Sequence, residues 1–441
     1  MKMSANHILN KRALVLAGML LVASLARADV NQEANLDSGL QFPVITQAAA
    51  SFKNSNPHVE AIFRNGLLDA SKQAFLAADG TDYVKTGDIP AEWLRDSSAQ
   101  VRPYIYFARG DAALTQFMRG MIARQFKYIQ IDPYANAFNP NYTVWEEKFE
   151  LDSLCYPIIS AWTYWKHTGD SAIFTDDFKR GLDKAIHTME AEQDHAGNPR
   201  HYTHPELGKR PVGHTGMIWS GFRPSDDACT YNFLIPSEMM AVVALSEAQE
   251  IAANYFEMSD LAFRAHRLAE AVNAGIQKYG IVNHPKHGKI YAYEVDGLGQ
   301  SNLMDDGNLP SLLSVPYFGY VNASDPIYRA TRQFILSSDN PFFYSGTLAH
   351  GVGSPHTNPG YVWPLALLSQ GFTAQSNDES DLVLKELLAS DPGDNHLHES
   401  FDPNNAKNFS RKDFGWPNSL FAEYMLTLHG LHLPVGNPHQ L

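Results

Sequence analysis

The stretch Leu234-Ile-Pro-Ser-Glu-Met-Met-Ala-Val-Val-Ala-Leu-Ser-Glu-Ala-Gln-Glu-Ile251, continuing to Tyr279, decides the fold class. Met239, Met240, Val243, Ala248 and Ile251 recur at helical spacing, and Leu261, Leu268, Val272 and Ile276 repeat the pattern after a break. Side chains three and four positions apart share a helix face, so two helices follow one another here and pack as an antiparallel pair. Working outward, the same periodicity predicts helices over 47–79, 97–130, 154–168, 174–193, 330–336, 363–370, 380–390 and 416–428. Strand-like alternation is confined to short pieces such as Lys289-Ile-Tyr-Ala-Tyr-Glu-Val295, closed by the turn dipeptide Asp296-Gly297. No Gly/Pro-rich linker, low-complexity tract or strict repeat divides the chain. The expectation is one all-α catalytic domain over 29–441, with short hairpins in its loops.

At 441 residues and 44% hydrophobic content the chain can bury a large core. Residues 1–28 are a different kind of segment. Lys2, Lys11 and Arg12 precede an apolar run from Ala13 to Ala26, and Ala26-Arg27-Ala28 then stands before Asp29. The run is shorter than the ~20 residues of a membrane span, and a small-x-small site follows it, so these residues read as a signal peptide. Export to a periplasm or to the extracellular space is therefore expected. Cleavage removes Lys2, Lys11, Arg12 and Arg27 and no acid, which takes the formal charge from −14 to −18. A protein this acidic repels nucleic acid and anionic membranes, so neither is an expected partner. Cys155 and Cys229 are the two cysteines. Free thiols are the simpler reading, with pairing open because both follow acidic segments that could meet.

Aromatic and acidic clusters fall in the connections before the helices, at 87–96, 142–152, 213–227, 346–356 and 395–401. Loops at one end of a helical toroid would bring them together. Trp219-Ser-Gly-Phe-Arg-Pro-Ser-Asp-Asp-Ala-Cys229 sets Asp226 and Asp227 side by side near Trp219 and Arg223, at what reads as a helix N-terminus. Neighbouring carboxylates push one pKa upward, which a general acid needs. Glu399, in His396-Leu-His-Glu-Ser-Phe401, supplies a distant second carboxylate. Two such groups on opposite sides of a glycosidic bond suffice to hydrolyse it. In Trp93-Leu-Arg-Asp96 the guanidinium donates and the carboxylate accepts, a combination that grips vicinal hydroxyls, while Trp93 covers a ring face. Asp96 or Ser97 could instead cap a helix. Trp145, Glu150, Asp152, His356, Thr357, Trp363 and Trp416 could line the same pocket. His396 and His398 have the spacing of two metal ligands on an extended loop, but no His-Glu-x-x-His or cysteine cluster completes a set, so neither metal nor cofactor is expected.

Gly87-Asp-Ile-Pro-Ala-Glu-Trp-Leu-Arg-Asp-Ser-Ser-Ala-Gln-Val-Arg-Pro103, the Trp219–Cys229 segment, Leu234-Ile-Pro-Ser237, Gly353-Ser-Pro-His-Thr357 and His398-Glu-Ser-Phe401 together resemble glycoside hydrolase family 125. That family comprises bacterial and fungal exo-acting α-1,6-mannosidases. The resemblance spans the chain from about Phe42 onward and implies an (α/α)6 toroid, metal-independent hydrolysis with inversion, and release of mannose from the non-reducing ends of mannosides or glycans. It implies a general acid within Asp226-Asp227, a general base at Glu399, and a terminal-sugar subsite at Arg95 and Asp96. Trp93, Trp219, Arg223, His356, Thr357 and His398 complete the candidate substrate-binding set. The alternatives are another helical-toroid glycosidase acting on glucosides or trehalose, and a catalytically silent glycan-binding protein.

Overall fold

A computed structural model describes residues 39–438; the expected leader at 1–28 lies outside them. Among the described residues twelve helices alternate between an inner and an outer ring. The outer helices are α1 (Pro57–Lys72), α3 (Ala112–Ile131), α5 (Asp176–Glu192), α7 (Ser259–Gly275), α9 (Pro326–Ile335) and α11 (Asn377–Ser390). The inner ones are α2 (Leu94–Val101), α4 (Leu151–Thr168), α6 (Ile235–Tyr255), α8 (Val315–Phe318), α10 (Pro364–Phe372) and α12 (Gly415–Leu428). Contacts run α2 to α4 to α6 to α8, and α10 to α12 and back to α2. Outer helices pack on inner ones, most extensively α7 on α6 and α1 on α12.

The two rings differ in sequence for a physical reason. Outer helices bury one stripe, as in α5 with Phe178, Gly181, Leu182, Ala185, Ile186 and Met189, and leave the other face to water. Inner helices have no wet face: α6 is buried continuously from Ile235 to Ala248, and α12 from Trp416 to Leu426. The stripe read in α6 is thus part of an all-round buried surface that also holds Glu238 and Glu247, while the stripe in α7 is a true one. At the seam between α1 and α12 the backbones touch. A Cβ on Gly66 would sit 2.2 Å from the Asn418 carbonyl oxygen, so only glycine allows this approach.

Several expected elements are subdivided. The stretch 47–79 holds Pro43–Ser51, then α1, then the strand Ala74–Leu76, because Asn56 caps a new helix whose first residue is Pro57. The stretch 97–130 breaks at Arg102–Tyr104, where Pro103 intervenes, and restarts at α3 behind the Asp111 cap. Alternation over Lys289–Val295 is shared between two sheets: Gly288–Tyr291 pairs with Ile281–His284, and Glu294–Val295 lies between Ser301–Asn302 and Phe233–Leu234. All sheets have two or three short strands. Cys155 is buried, Cys229 partly so, and both are free thiols.

Candidate active site

Each inner helix is entered from the same kind of connection, and these connections supply the site. A cavity is lined by Thr86, Ile89, Trp93, Arg95 and Asp96 before and within α2, by residues 224–226 before α6, and by Asn308 before α8. His356 and Trp363 come from before α10, and Glu399, Arg411, Phe414 and Trp416 from the entry to α12. The sequence reading anticipated this convergence but not the contribution of Asn308, although the pair Asp305-Asp306 stands just before it.

Asp226 and Asp227 do not start a helix. They form a tight turn in which Asp226 donates its backbone N–H to Arg223 O at 2.9 Å, Arg223 donates to Asp227 O at 2.8 Å, and Phe222 bridges Ala228. Asp226 has φ of +65°, a left-handed conformation that aspartate tolerates better than most residues and that concentrates at functional sites. The turn is pinned from behind. Arg223 Nε donates to Glu294 Oε1 at 2.7 Å, and the backbone N–H groups of Thr230 and Tyr231 and the side-chain amide of Asn302 donate to the same carboxylate. Lys148 Nζ donates to the Asp226 carbonyl at 3.0 Å.

Arg95 is 3% exposed and organises the acidic floor. Its Nη1 donates to Glu150 Oε2 at 2.6 Å and to Asp152 Oδ2 at 3.2 Å, and its Nη2 to Asp226 Oδ1 at 3.1 Å, while Asp96 Oδ2 lies 3.5 Å from Nε. The guanidinium is thus directed at carboxylates. Burial raises Asp96 and lifts Asp152 to about 6, in both cases against the pull of Arg95. Burial also drives Glu150 well above the ordinary range, again opposed by Arg95 and assisted by Asp226 and Asp152. Asp226 goes the other way: burial would raise it, but Arg95, a hydrogen bond from Glu150, Lys148 and His356 hold it low. Its side chain keeps 27% of its surface open, toward the cavity. The alternative that Asp96 or Ser97 caps the helix does not hold; the N-cap of α2 is Trp93, and Asp96 lies in the first turn.

Glu399 opens the hairpin formed by Ser400–Asp402 and Asn405–Ser410, and Phe401 bridges Val362 so that the last two connections are tied together. Ser410 Oγ donates to Glu399 Oε2 at 2.8 Å, and Arg411 Nη1 lies 3.9 Å from Oε1. Arg411 is otherwise anchored to Asp88 and to Thr86 O. Sequence reasoning missed it; its only signal was a cation among aromatics just before α12. Asp227 turns to His356, whose Nδ1 lies 3.2 Å from Oδ1, and this hydrogen bond raises the imidazole to about 9.

The remaining candidates stand further back. Trp219 stacks on His195 with centroids 3.6 Å apart, and Arg223 serves the turn, so both support the site from behind its lining. Thr357 Oγ1 accepts from Trp363 Nε1 at 2.9 Å and fixes that ring. His398 is buried, stacked on Phe409, with Nδ1 on Lys412 O. His396 pairs with Asp69 at 2.8 Å, and both histidines lie near Asp394, His396 Nδ1 at 3.8 Å and His398 Nε2 at 3.4 Å. Trp145, 48% exposed, is outside the lining. Among the described residues no group of His, Cys, Asp and Glu is arranged to hold a metal ion, and no helix is long and apolar enough to cross a membrane.

The family model for metal-independent alpha-mannosidases, GH125, matches residues 56–143 and 140–426. The chain belongs to the GH125 family. It is a glycoside hydrolase, an α-mannosidase, built on an (α/α)6 toroid. A GH125 structure from Streptococcus pneumoniae, a metal-independent α-mannosidase in a non-productive complex with α-1,6-mannobiose, is 40% identical; the match covers 88% of this chain and 97% of that one, with a TM-score of 0.83. The meiotically up-regulated gene 157 protein of Schizosaccharomyces pombe is 38% identical over 390 residues, 78% of this chain and 76% of its own length. A bacterial glucoamylase complexed with acarbose is 13% identical with a TM-score of 0.61, covering 87% of this chain and 58% of that one, a likeness of fold alone.

Proposed function

We propose that this α-mannosidase is an exported, exo-acting enzyme that removes terminal α-1,6-linked mannose with inversion. Asp226 delivers the proton to the glycosidic oxygen and Glu399 takes one from the attacking water. The observation that carries this reading is that Asp226 and Glu399, from distant segments, both line one small cavity with Asp96 and the Trp93, Trp363 and Trp416 rings. The α-1,6-mannobiose bound by the Streptococcus pneumoniae relative supports the linkage. Between the two candidates Asp226 is preferred, because Asp227 is spent on His356. Arg95 holds carboxylates in register, leaving Asp96 as the acceptor for sugar hydroxyls. Export rests on residues 1–28.

An inverting pair leaves room for water, roughly 6.5–9.5 Å between carboxyl groups. NMR of the first-formed product from an α-1,6-mannobioside should show β-mannose, and Glu399→Gln should abolish turnover while sugar binding persists. First appearance of α-mannose would overturn inversion and the role of Glu399. Equal turnover of α-1,2-, α-1,3- and α-1,6-mannobiosides would overturn the linkage.

A further inference from the structure

The charges at the cavity floor do not balance. Asp96, Glu150, Asp152 and Asp226 surround one guanidinium, that of Arg95. Lys148 and His356 act on Asp226, and Arg411 on Asp96, but none of them ion-pairs with these four carboxylates: Lys148 Nζ reaches the Asp226 main-chain oxygen, Arg411 faces Asp88 and Glu399, and His356 faces Asp227. Tyr202 and Cys229, the remaining titratable groups near Glu150, supply no positive charge. Each buried ion costs several kcal/mol unless compensated, so a floor of four carboxylates on one cation must take up protons.

Geometry selects where. No N–H or O–H donor reaches Glu150 Oε1 or Asp152 Oδ1, and both side chains are wholly buried. Asp152 lies in the first turn of α4, where the free N–H groups favour the ionised form. Glu150 precedes that turn and makes no capping bond. Its two donors, Arg95 Nη1 and Ser153 Oγ, both go to Oε2, leaving Oε1 bare.

We propose that Glu150 carries a proton on Oε1 and shares it with Asp226, so that the two carboxyls act as one acid with a single proton. The inference rests on Asp226 being the general acid, and Glu150 is then a positioning residue that acts through it. Arg95 ties the two groups together, Nη1 on Glu150 Oε2 and Nη2 on Asp226 Oδ1, and two buried carboxyls gathered on one guanidinium cannot both ionise. In the free enzyme the proton rests on Glu150; at bond cleavage it is on Asp226. The C–O bond breaks with its electron pair on the leaving oxygen, which takes that proton, and the pair is left doubly ionised beside Arg95. Water adds to the anomeric carbon and gives its proton to Glu399, which releases it to solvent. The pair regains one proton from solvent, and one water is consumed overall.

Glu150→Gln keeps the shape and neutrality but cannot pass a proton. Asp226 alone, held low by Arg95, must then carry it, so the alkaline limb of the kcat/KM profile should fall by about one pH unit or more, with roughly tenfold loss at pH 7 and recovery toward wild-type rates at acid pH. A uniform loss at every pH, with the limb unmoved, would overturn the proposal. If that variant does not fold, infrared spectroscopy of the wild type and Asp226→Asn carries the test. Burial also raises Glu92, Glu238, Glu247 and Asp305, whose bands cancel in the difference between the two proteins, and because Asp152 and Asp96 feel Asp226 as well, glutamate-specific 13C labelling separates Glu150 from them. A protonated-carboxyl band at pH 7 that titrates at lower pH in Asp226→Asn is expected, and no difference would refute the shared proton. Full activity of Asp226→Asn would instead remove the general-acid reading beneath it.

Discussion

Arg95→Met removes the guanidinium while keeping an unbranched apolar stem, and it isolates what one buried cation does for three carboxylates. The lost bonds are those of 2.6 Å to Glu150, 3.2 Å to Asp152 and 3.1 Å to Asp226. Hydrogen bonds to charged groups contribute about 1.5–3 kcal/mol each, so simple addition gives about 5–9 kcal/mol. Two effects reduce that total: the buried guanidinium no longer has to be desolvated, and the orphaned carboxyls can bind protons. The expected loss is therefore about 3–5 kcal/mol, typical of breaking a buried ion pair from one side. The sign of its pH dependence follows from the direction of the shifts. Glu150 and Asp152 already lie above their unfolded values, and without Arg95 they rise further. An acid whose folded pKa exceeds its unfolded one weakens the fold progressively as pH climbs from the unfolded value to the folded one. The gap between wild type and variant should thus be smaller at pH 5 than at pH 8. Urea midpoints followed by tryptophan fluorescence at both pH values test this. A loss below about 1 kcal/mol, or one equal at both, would refute the picture of Arg95 as the charge that holds the acidic floor together.

Asp96→Ala should lower kcat/KM by about a hundredfold or more, equivalent to ~3 kcal/mol, with the melting temperature little changed; near wild-type kcat/KM would make Asp96 a purely structural acid. Asp227→Asn should return the His356 imidazole from about 9 toward its ordinary 6.5, read from ring-proton NMR, with a smaller rate loss than Asp226→Asn. Because His356 is raised in the fold, its stabilisation is complete below 6.5 and lost as pH rises through about 9, so the stability difference between wild type and Asp227→Asn should shrink across that window. N-terminal sequencing of exported protein should begin at Asp29, and recovery of residues 1–28 in a membrane fraction would argue for an anchor.

The helical class was legible because the outer helices carry water on one side, and a one-sided stripe is what periodicity detects. In α6 and α12, where burial is continuous, the spacing marked the helix but not its surroundings, and the stretch after α2 was less legible because Pro103 interrupts the pattern. Trp93, Asp96, Asp226, His356 and Glu399 could be found because acids and aromatics cluster in connections, where a purely structural chain has little use for them. What a linear reading could not give is direction. Trp219 and Arg223 sit beside the acidic turn in sequence but face away from the cavity, since the turn at Asp226 reverses the chain. Arg95 looks like a hydroxyl donor until Glu150 and Asp152, more than fifty residues on, are seen to take Nη1 and Asp226 to take Nη2. Arg411 escaped notice for the converse reason: nothing local marks a cation whose partners, Asp88 and Glu399, come from opposite ends of the ring.

The seam at Gly66 and Asn418 has a temporal meaning. An outer helix near the start of the described chain is completed by the last described inner one, so the ring stays open until α12 has been made. Until α12 arrives, the hairpin bearing Glu399 has no wall to rest on, and the acidic turn waits without its counterpart. A nascent chain can therefore collapse its early helices, shelter their apolar faces and still be unable to touch a glycan. Activity begins only at closure, and a bulky residue at position 66 would delay the onset of hydrolysis in a refolding chain while leaving every group of the cavity chemically intact.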